Sequence, residues 1–177
     1  MPCAPQMTDT YDHPADLLLA DLLAQCDIRF VRRSGPGGQH RNKVSTGVVL
    51  LHNPTGVKAE ASEQRSQAAN RTVALFRLRI NLALEVRGRR APGGVPSPRW
   101  RTRLQGGRIA VSATHNDFPA LLAEALDVLA VCDFDPKPAS EALGCSVSQL
   151  VKLLQKEPQA IAQVNRQRQQ RGGHALR

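Results

Sequence analysis

The sequence contains few aromatic residues and no long hydrophobic run. Only 3% of its 177 residues are aromatic, which excludes a sheet that stacks nucleobases on rows of aromatic rings. No run approaches the roughly 18 apolar residues that a membrane-spanning helix requires, so we expect no association with a membrane. Hydrophobic residues still make up 41% of the chain. That is enough for the core of one compact domain with a small appendage.

Cysteine patterns and targeting signals are also missing. The four cysteines form no C-x-x-C pair and have no histidine nearby at ligand spacing, so we predict no metal site. No cofactor is predicted either. The first 28 residues hold five aspartates and no basic residue, unlike a signal peptide or a transit peptide. We therefore expect a cytoplasmic protein.

Positive charge is concentrated in the middle of the chain. The net charge is +9. Residues 29–108 carry 17 basic and three acidic residues, whereas residues 109–165 carry three basic and seven acidic ones. Of the 24 basic residues 19 are arginine, whose planar guanidinium binds phosphate with two hydrogen bonds. A polyanion is the expected partner, and nucleic acid is the commonest one.

The pattern of residues predicts an α+β fold in four segments. These are an irregular leader over 1–13, an α+β domain over 14–115, a helical module over 117–165 and a basic tail over 166–177. A strand over 28–33 precedes a predicted hairpin, whose strands 44–52 and 57–61 flank a turn at 53–56. We expect a small mixed sheet packed on a long helix, with a loop protruding between the first two strands.

The long helix is predicted to begin after Ser62, acting as its N-cap, and to end near Val86. Its apolar stripe comprises Ala69, Val73, Phe76, Ile80 and Ala83, and the opposite, polar face carries Arg65, Arg71 and Arg79. Residues 88–105 are rich in glycine, proline and arginine and are predicted to form a loop around Trp100.

Two short helices predict a helix-turn-helix within the helical module. The first covers residues 138–143 and ends at Gly144, and the second covers residues 147–156 with Ser146 as its N-cap. This pattern raises the alternative of a DNA-binding regulator. The module is acidic, however, and DNA-reading elements are normally basic, so we favour a packing or docking role and do not expect DNA as a partner.

The segment between the first two predicted strands carries the chemical information. It reads Arg-Arg-Ser-Gly-Pro-Gly-Gly-Gln-His-Arg-Asn-Lys-Val-Ser-Thr over residues 32–46. The phosphate-binding Walker A pattern fails because Lys43 follows Asn42 rather than glycine. The dinucleotide fingerprint fails because His40 occupies the position of its third glycine. Nucleotide binding is therefore not expected.

This segment resembles the catalytic domain of class I peptide chain release factors, whose signature is a Gly-Gly-Gln tripeptide. The resemblance covers residues 28–85 and includes Ser34 to His40, Asn42-Lys43, Pro54-Thr55-Gly56, and Glu63 to Gln67 with Asn70. A lone Gly-Gly-Gln would more often be an ordinary loop between strands. The matched flanking residues, in order and at the family's spacing, favour the functional interpretation.

The resemblance implies a ribosome-dependent hydrolase of the ester between a nascent peptide and transfer RNA. Gly37 and Gly38 would let the loop tip enter the narrow peptidyl transferase centre. Gln39, which has no useful pKa, would act by position through its backbone N–H and side-chain amide. The basic and polar residues around the loop would contact ribosomal RNA: Arg32, Arg33, His40, Arg41, Asn42, Lys43 and Arg65. Packing or RNA contact is expected of His40, rather than general-base catalysis.

The layout is similar to that of short release-factor homologues that rescue stalled ribosomes. Only 34 residues precede Gly35 and no Pro-x-Thr tripeptide is present, so we expect release without codon recognition. Arg166, Arg168 and Arg171 would act in a flexible tail that becomes ordered on RNA. Its alternative is a merely solubilising tail. The expected partners are large-subunit ribosomal RNA and P-site peptidyl-tRNA, bound by a monomer. The alternative function is a non-hydrolytic ribosome- or RNA-binding protein with the same fold.

Overall fold

The computed structural model describes residues 12–32, 46–90 and 94–177. They divide into two compact units. The sheet unit comprises residues 13–87 and 116–123, and the helical unit comprises residues 88–115 and 124–177. The predicted α+β class is confirmed. Residues 88–115 group with the helical module, although the sequence places them in the α+β domain.

The sheet unit is built on three antiparallel strands in the order β1-β2-β3. They span Cys26–Val31, Gly47–His52 and Lys58–Ala61. The predicted hairpin is confirmed, and Gly56 at its turn has a φ of 73°, a conformation that favours glycine. The sheet is antiparallel throughout rather than mixed, because consecutive strands pair along both of its ladders.

Helix α2 covers the sheet. It runs from Gln67 to Glu85, after the sheet in chain order. Two short helical elements come before the sheet, a 3₁₀-helix at Pro14–Asp16 and α1 at Leu19–Ala24. Its N-cap is Ser66, whose hydroxyl accepts from the backbone N–H of Ala69, so the predicted cap at Ser62 is wrong. The buried face also differs from the predicted stripe. Its members are Asn70, Ala74, Leu75, Leu78, Arg79, Leu82, Ala83 and Leu84.

Arg79 is the clearest departure from the predicted helix face. The sequence places it on the solvent face, yet its side chain is buried in the sheet unit. Its guanidinium donates twice to the carbonyl of Ala15, at 2.9 and 2.8 Å, and once to the carbonyl of Asn116 at 2.7 Å. These acceptors come from distant parts of the chain, which local helical periodicity does not reveal.

The start of the sheet unit is fixed by a buried histidine. His13 accepts from the backbone N–H of Ala15 through Nδ1 and contacts the carbonyl of Val86 through Nε2 at 3.2 Å. Because Nδ1 is an acceptor, Nε2 carries the proton and donates to Val86. His13 therefore belongs to the folded unit, although the sequence places it in the irregular leader. Pro14 occupies the first helical position, as predicted.

The helical unit combines short helices with a two-stranded hairpin. Helix α3 covers Pro98–Arg103, followed by strands β4 (Leu104–Gln105) and β5 (Arg108–Ile109). Helix α4 covers Phe118–Val131, α5 covers Pro136–Ala142, α6 covers Val147–Leu154 and α7 covers Pro158–Gln170. Residues 118–123 of α4 belong to the sheet unit. The predicted helix-turn-helix is confirmed as α5 and α6, with Gly144 at a φ of 67° between them.

The segment predicted as a loop around Trp100 contains α3. Trp100 is buried and donates its indole N–H to the carbonyl of Leu143 at 2.8 Å. The buried carboxylate of Glu124 accepts from the N–H and hydroxyl of Ser97 and pairs with Arg90 at 2.7 Å. One turn along α4, Asp127 accepts from the backbone N–H of Gly88. These contacts attach residues 88–90 and 94–100 to the helical unit.

Across the described ranges, no helix is long and apolar enough to cross a membrane.

Candidate functional site at one end of the sheet

The candidate site lies where three strand termini meet. Val31 at the end of β1 pairs with Gly47 at the start of β2, and Val48 pairs with Ala61 at the end of β3. The segment between β1 and β2 and the connection from β3 to α2 therefore leave the sheet at the same end. This arrangement places both stems of the Gly-Gly-Gln segment beside the N-terminus of α2.

Most of the predicted loop residues lie outside the described residues. These are Gly37, Gly38, Gln39, Arg33, His40, Arg41, Asn42 and Lys43. Their roles remain predictions. Two of the predicted RNA-binding residues are described, and both have exposed side chains: Arg32, directly after β1, and Arg65, directly before the Ser66 cap. The sheet register brings their backbones to the same end of the unit.

Asn70 connects the downstream stem to the start of α2. Its side chain is completely buried. The amide group donates to the carbonyl of Thr46 at 2.8 Å and to the carbonyl of Gln64 at 2.9 Å. Its oxygen accepts from the backbone N–H of Gln64 at 2.9 Å. One side chain thus fixes the residue before β2 and the turn before α2.

Gly47 allows the two stems to approach closely. A Cβ atom at this position would lie 2.8 Å from Cγ2 and 2.9 Å from the carbonyl oxygen of Val31. It would also lie 3.4 Å from Cβ of Ser62. Since real Cβ atoms essentially never come within 3.0 Å of such neighbours, any larger residue would move the backbone. Glycine is therefore required by close packing at the foot of the loop.

A half-exposed ion pair joins the connection between β3 and α2 to that helix. Arg77 pairs with Glu63 at 2.5 Å and donates to the carbonyl of Glu60 at 2.8 Å. The hydrogen bond from Arg77, with further backbone hydrogen bonds, lowers the pKa of the Glu63 carboxyl below its ordinary value. Both side chains are about half exposed, so solvent screens the pair and its contribution to stability is small.

The predicted tail arginines fall on or after α7. Arg166 has an exposed side chain on this helix. Arg168 donates to the carbonyls of His174 and Phe134, at 2.8 and 2.7 Å. The guanidinium of Arg171 lies 5.0 Å from the centre of the Phe134 ring, a cation–π contact. Residues 166–170, predicted as flexible tail, are the end of a helix.

The segment after α7 folds back onto that helix. Asn165 donates through its amide to the carbonyl of Leu176 and accepts from the Leu176 N–H. The N–H of Gly173 donates to the carbonyl of Arg168 at 2.9 Å. This fold-back uses Arg168 inside the unit, so Arg166, Arg171 and Arg177 retain the exposed cationic groups of the predicted tail.

Sequence reasoning missed the positioning role of Asn70. The residue belongs to the motif that carries the family resemblance, but helical periodicity alone treats it as one polar residue among several. A polar residue on the buried stripe of an amphipathic helix was the available signal, because buried amides require hydrogen-bonding partners.

Within the described part of the chain, no three His, Cys, Asp or Glu side chains come together as a metal ion would require.

Comparison with known proteins finds a related family for part of the chain. The family model of the RF-1 domain matches residues 23–93, a range that includes Gly37, Gly38 and Gln39. Over this segment the chain is similar to the RF-1 domain and to peptide chain release factors.

Individual relatives show the same similarity over parts of the chain. The chain is 49% identical over 65 residues to peptide chain release factor PrfB1, chloroplastic, of Arabidopsis thaliana, a match covering 37% of the chain and 14% of the relative. It is 38% identical over 91 residues to peptide chain release factor 1 of Xylella fastidiosa, covering 51% and 23%. It is 44% identical over 78 residues to peptide chain release factor 2 of Lactiplantibacillus plantarum, covering 44% and 19%. The matches thus span less than a quarter of each relative.

Proposed function

We propose that the protein hydrolyses the ester of peptidyl-tRNA on the ribosome, with Gly37-Gly38-Gln39 as the catalytic tripeptide. The observation that carries this proposal is the RF-1 domain match across residues 23–93, which contains the tripeptide. The relatives' names describe peptide chain release factors. Chain release is therefore the chemistry to test first.

The described residues support a Gly-Gly-Gln loop that projects from a fixed base. Both of its stems begin at one end of the sheet, and Asn70 fixes Thr46 by a buried hydrogen bond. A rigid base limits the entropy lost when the tripeptide enters the reaction centre, and positioning of this kind is a major source of rate enhancement. Arg32 and Arg65 add exposed positive charge at the same end, where phosphate groups of RNA would approach.

The proposed chemistry is positional. Glycines at 37 and 38 leave room for the ester and the attacking water, and the backbone N–H of Gln39 stabilises negative charge on the departing oxygen. One donor of this kind contributes on the order of 3–4 kcal/mol in other acyl-transfer enzymes. Gln39 cannot accept the water's proton as a base at neutral pH. The remaining catalysis falls to the transfer RNA and ribosomal RNA, so the free protein should hydrolyse the ester slowly.

The substrate state is proposed to be a stalled ribosome, and release is proposed to occur without codon recognition. The assay supplies ribosomes with labelled formylmethionyl-tRNA in the P site and an A site that is empty, or that holds a sense codon or a stop codon. Release from the empty-site complex is the expected result. Release that requires a stop codon would overturn codon independence while leaving the hydrolytic assignment intact.

Variants of the tripeptide test the hydrolytic assignment itself. Gly38→Ala is expected to lower the release rate at least ~100-fold, because the added Cβ atom displaces the Gln39 N–H and the loss of one transition-state donor has that magnitude in other enzymes. Gln39→Ala keeps this N–H and removes the side-chain amide that positions the attacking water, so we expect a smaller decrease. Gln159→Ala, at an exposed position on α7, is the matched control and should release normally. Full activity in both tripeptide variants would contradict the mechanism. Ribosome binding without any release by the wild-type protein would favour the non-hydrolytic alternative.

A further inference from the structure

A second strongly basic segment lies in the helical unit, outside the Gly-Gly-Gln segment. Residues 88–111 contain six arginines and no acidic residue. Arg90 is neutralised by Glu124, and Arg103 contacts His115. Arg101 on α3 and Arg108 on β5 are exposed, and neither forms an ion pair with a carboxylate among the described residues. Their charge is therefore directed to solvent.

The local fold determines which side chains face outward. Trp100 on α3 is buried, so its neighbour Arg101 points away from the core. In the hairpin, Leu104 pairs with Ile109 and Gln105 pairs with Arg108. Successive side chains of a strand alternate between its faces. The half-buried apolar pair therefore faces the unit, and Gln105 and Arg108 face solvent.

The hairpin turn is open to a large partner. Gly106 and Gly107 have φ values of 54° and 74°, as in the two-residue turn that favours glycine at both central positions. A Cβ atom added at either glycine would meet nothing within 4 Å. The tip is therefore slender and unobstructed, and another molecule's backbone can approach it closely.

The helix-turn-helix holds this hairpin in place. Leu104 packs beside Gly144, where a Cβ atom would lie 3.3 Å from Leu104 Cδ2. The ammonium group of Lys156, just after α6, donates to the carbonyl of Val111, just after β5. One turn earlier on α6, Lys152 is exposed. The basic hairpin is thus a preorganised part of the unit, and binding need not order it.

We propose that α3 and the β4–β5 hairpin form a binding surface for double-stranded RNA, with Arg101 and Arg108 contacting the phosphate backbone. We call this the hairpin surface. Arginine matches phosphate in charge and geometry. Trp100 is buried, and no aromatic side chain is exposed within the described residues of this surface. Because single-stranded RNA is usually bound by stacking bases on aromatic rings, the surface is suited to the backbone of an RNA helix.

Acidic residues around the helix-turn-helix argue against DNA binding by this motif. Described acidic residues at 133, 135, 141 and 157 surround α5 and α6, where a DNA-reading motif would approach the duplex. The apolar face of α6 packs inside the helical unit, where Leu150, Leu153 and Leu154 are buried. The exposed positive charge of Arg101 and Arg108 lies on the hairpin surface instead. This charge suits A-form RNA, which proteins recognise largely by its shape, phosphates and 2′-hydroxyl groups.

Direct binding measurements test this inference. Fluorescence anisotropy would follow the full chain with a labelled RNA duplex of about 20 base pairs, longer than the roughly 16 base pairs that a double-stranded RNA-binding domain spans. A DNA duplex of the same sequence and a single-stranded RNA complete the set. The expected order of affinity places the RNA duplex first. Equal or tighter binding of DNA or of single-stranded RNA would overturn the proposal. None of these measurements depends on ester hydrolysis, so the proposed function can fail without affecting this result.

Charge-neutralising variants assign the binding to the surface. Arg101→Gln/Arg108→Gln should weaken RNA-duplex binding about tenfold or more near 0.1 M salt and lower the log–log salt slope by about 2, one unit for each phosphate that is no longer neutralised. The control Lys58→Gln/Lys137→Gln removes the same charge from exposed positions elsewhere and should change the slope little. Equal weakening in the two double variants would indicate a diffuse charge effect and refute the assignment. Circular dichroism would verify that both variants are folded.

Discussion

Replacing Asn70 by alanine should destabilise the sheet unit more than any other single amide change on α2. The substitution removes three hydrogen bonds, two donated and one accepted, from a completely buried side chain. Each polar group left buried without a partner costs about 1–3 kcal/mol. Gln64 is exposed, so water can replace part of its hydrogen bonding, whereas the Thr46 carbonyl belongs to a half-buried residue. We expect a decrease of about 2–4 kcal/mol in the free energy of unfolding.

Asn81 provides a matched control on the same helix. Its amide makes one hydrogen bond, to the carbonyl of Lys58 at 2.7 Å, at a site that solvent reaches. Asn81→Ala should therefore cost only about 0.5–1 kcal/mol, the usual net value of one hydrogen bond. The comparison holds residue type and helix constant, so the difference reports burial and the number of bonds.

Urea unfolding followed by circular dichroism measures the effect. With an m-value of about 2 kcal/mol per molar urea, Asn70→Ala should lower the midpoint by about 1–2 M. Hydrogen exchange should increase most in peptides covering residues 46–52 and 64–70, where the hydrogen-bonding partners of Asn70 lie. An unfolding midpoint for Asn70→Ala no lower than that for Asn81→Ala would refute the view that Asn70 anchors the loop stem.

Gly47, His52 and Cys145 each give a further prediction. Gly47→Ala should lower the free energy of unfolding by about 1–3 kcal/mol, measured by urea titration, and Val31→Ala should restore only part of it because the clash with the Val31 carbonyl persists. Burial lowers the pKa of His52, so its contribution to stability is present above about pH 6.5 and declines as the pH falls through the lowered pKa. His52→Gln should weaken that acid-dependent decline in pH-dependent melting, and an unchanged profile would contradict it. Burial raises the pKa of the Cys145 thiol to about 11, so at about pH 8 only about one thiol in 1,000 is ionised. Mass spectrometry should show far slower alkylation by iodoacetamide than for a free cysteine peptide.

Local turn and cap chemistry was predictable from the sequence. Gly56 and Gly144 lie in left-handed conformations at the hairpin and helix turns, and Ser146 caps α6 by accepting from the N–H of Gln149. These signals act over a few residues, so the sequence pattern contains both partners. The family motif is local in the same sense, and it correctly indicated the RF-1 segment.

Features that depend on distant partners were not predictable. Ser66, rather than the predicted Ser62, caps α2, because the Asn70 side chain holds Gln64 in the turn preceding the helix. Arg79 is buried because Ala15 and Asn116 supply carbonyl acceptors. Helical periodicity describes only one face of one element, and such acceptors come from elsewhere in the chain.

In segment 88–105, distant contacts stabilise a helix that the local composition does not predict. Its glycine, proline and arginine content predicts a loop, yet six of its residues form α3. The reason is tertiary: Ser97 caps the helix and is itself held by Glu124, and Trp100 bonds to Leu143. The roles of Gly37, Gly38 and Gln39, outside the described residues, remain functional predictions.

The hydrogen bonds of Arg79 have a practical consequence for expressing the RF-1 segment alone. The family match begins at residue 23 and ends at residue 93, whereas the carbonyls that bind Arg79 belong to Ala15 and Asn116. A fragment cut to the family boundaries would leave a guanidinium facing the interior without these acceptors. It would also lack the completely buried Leu22 and Leu121. The smallest fragment expected to fold therefore joins residues 13–87 to residues 116–123, and sequence homology alone would cut it too short at both ends.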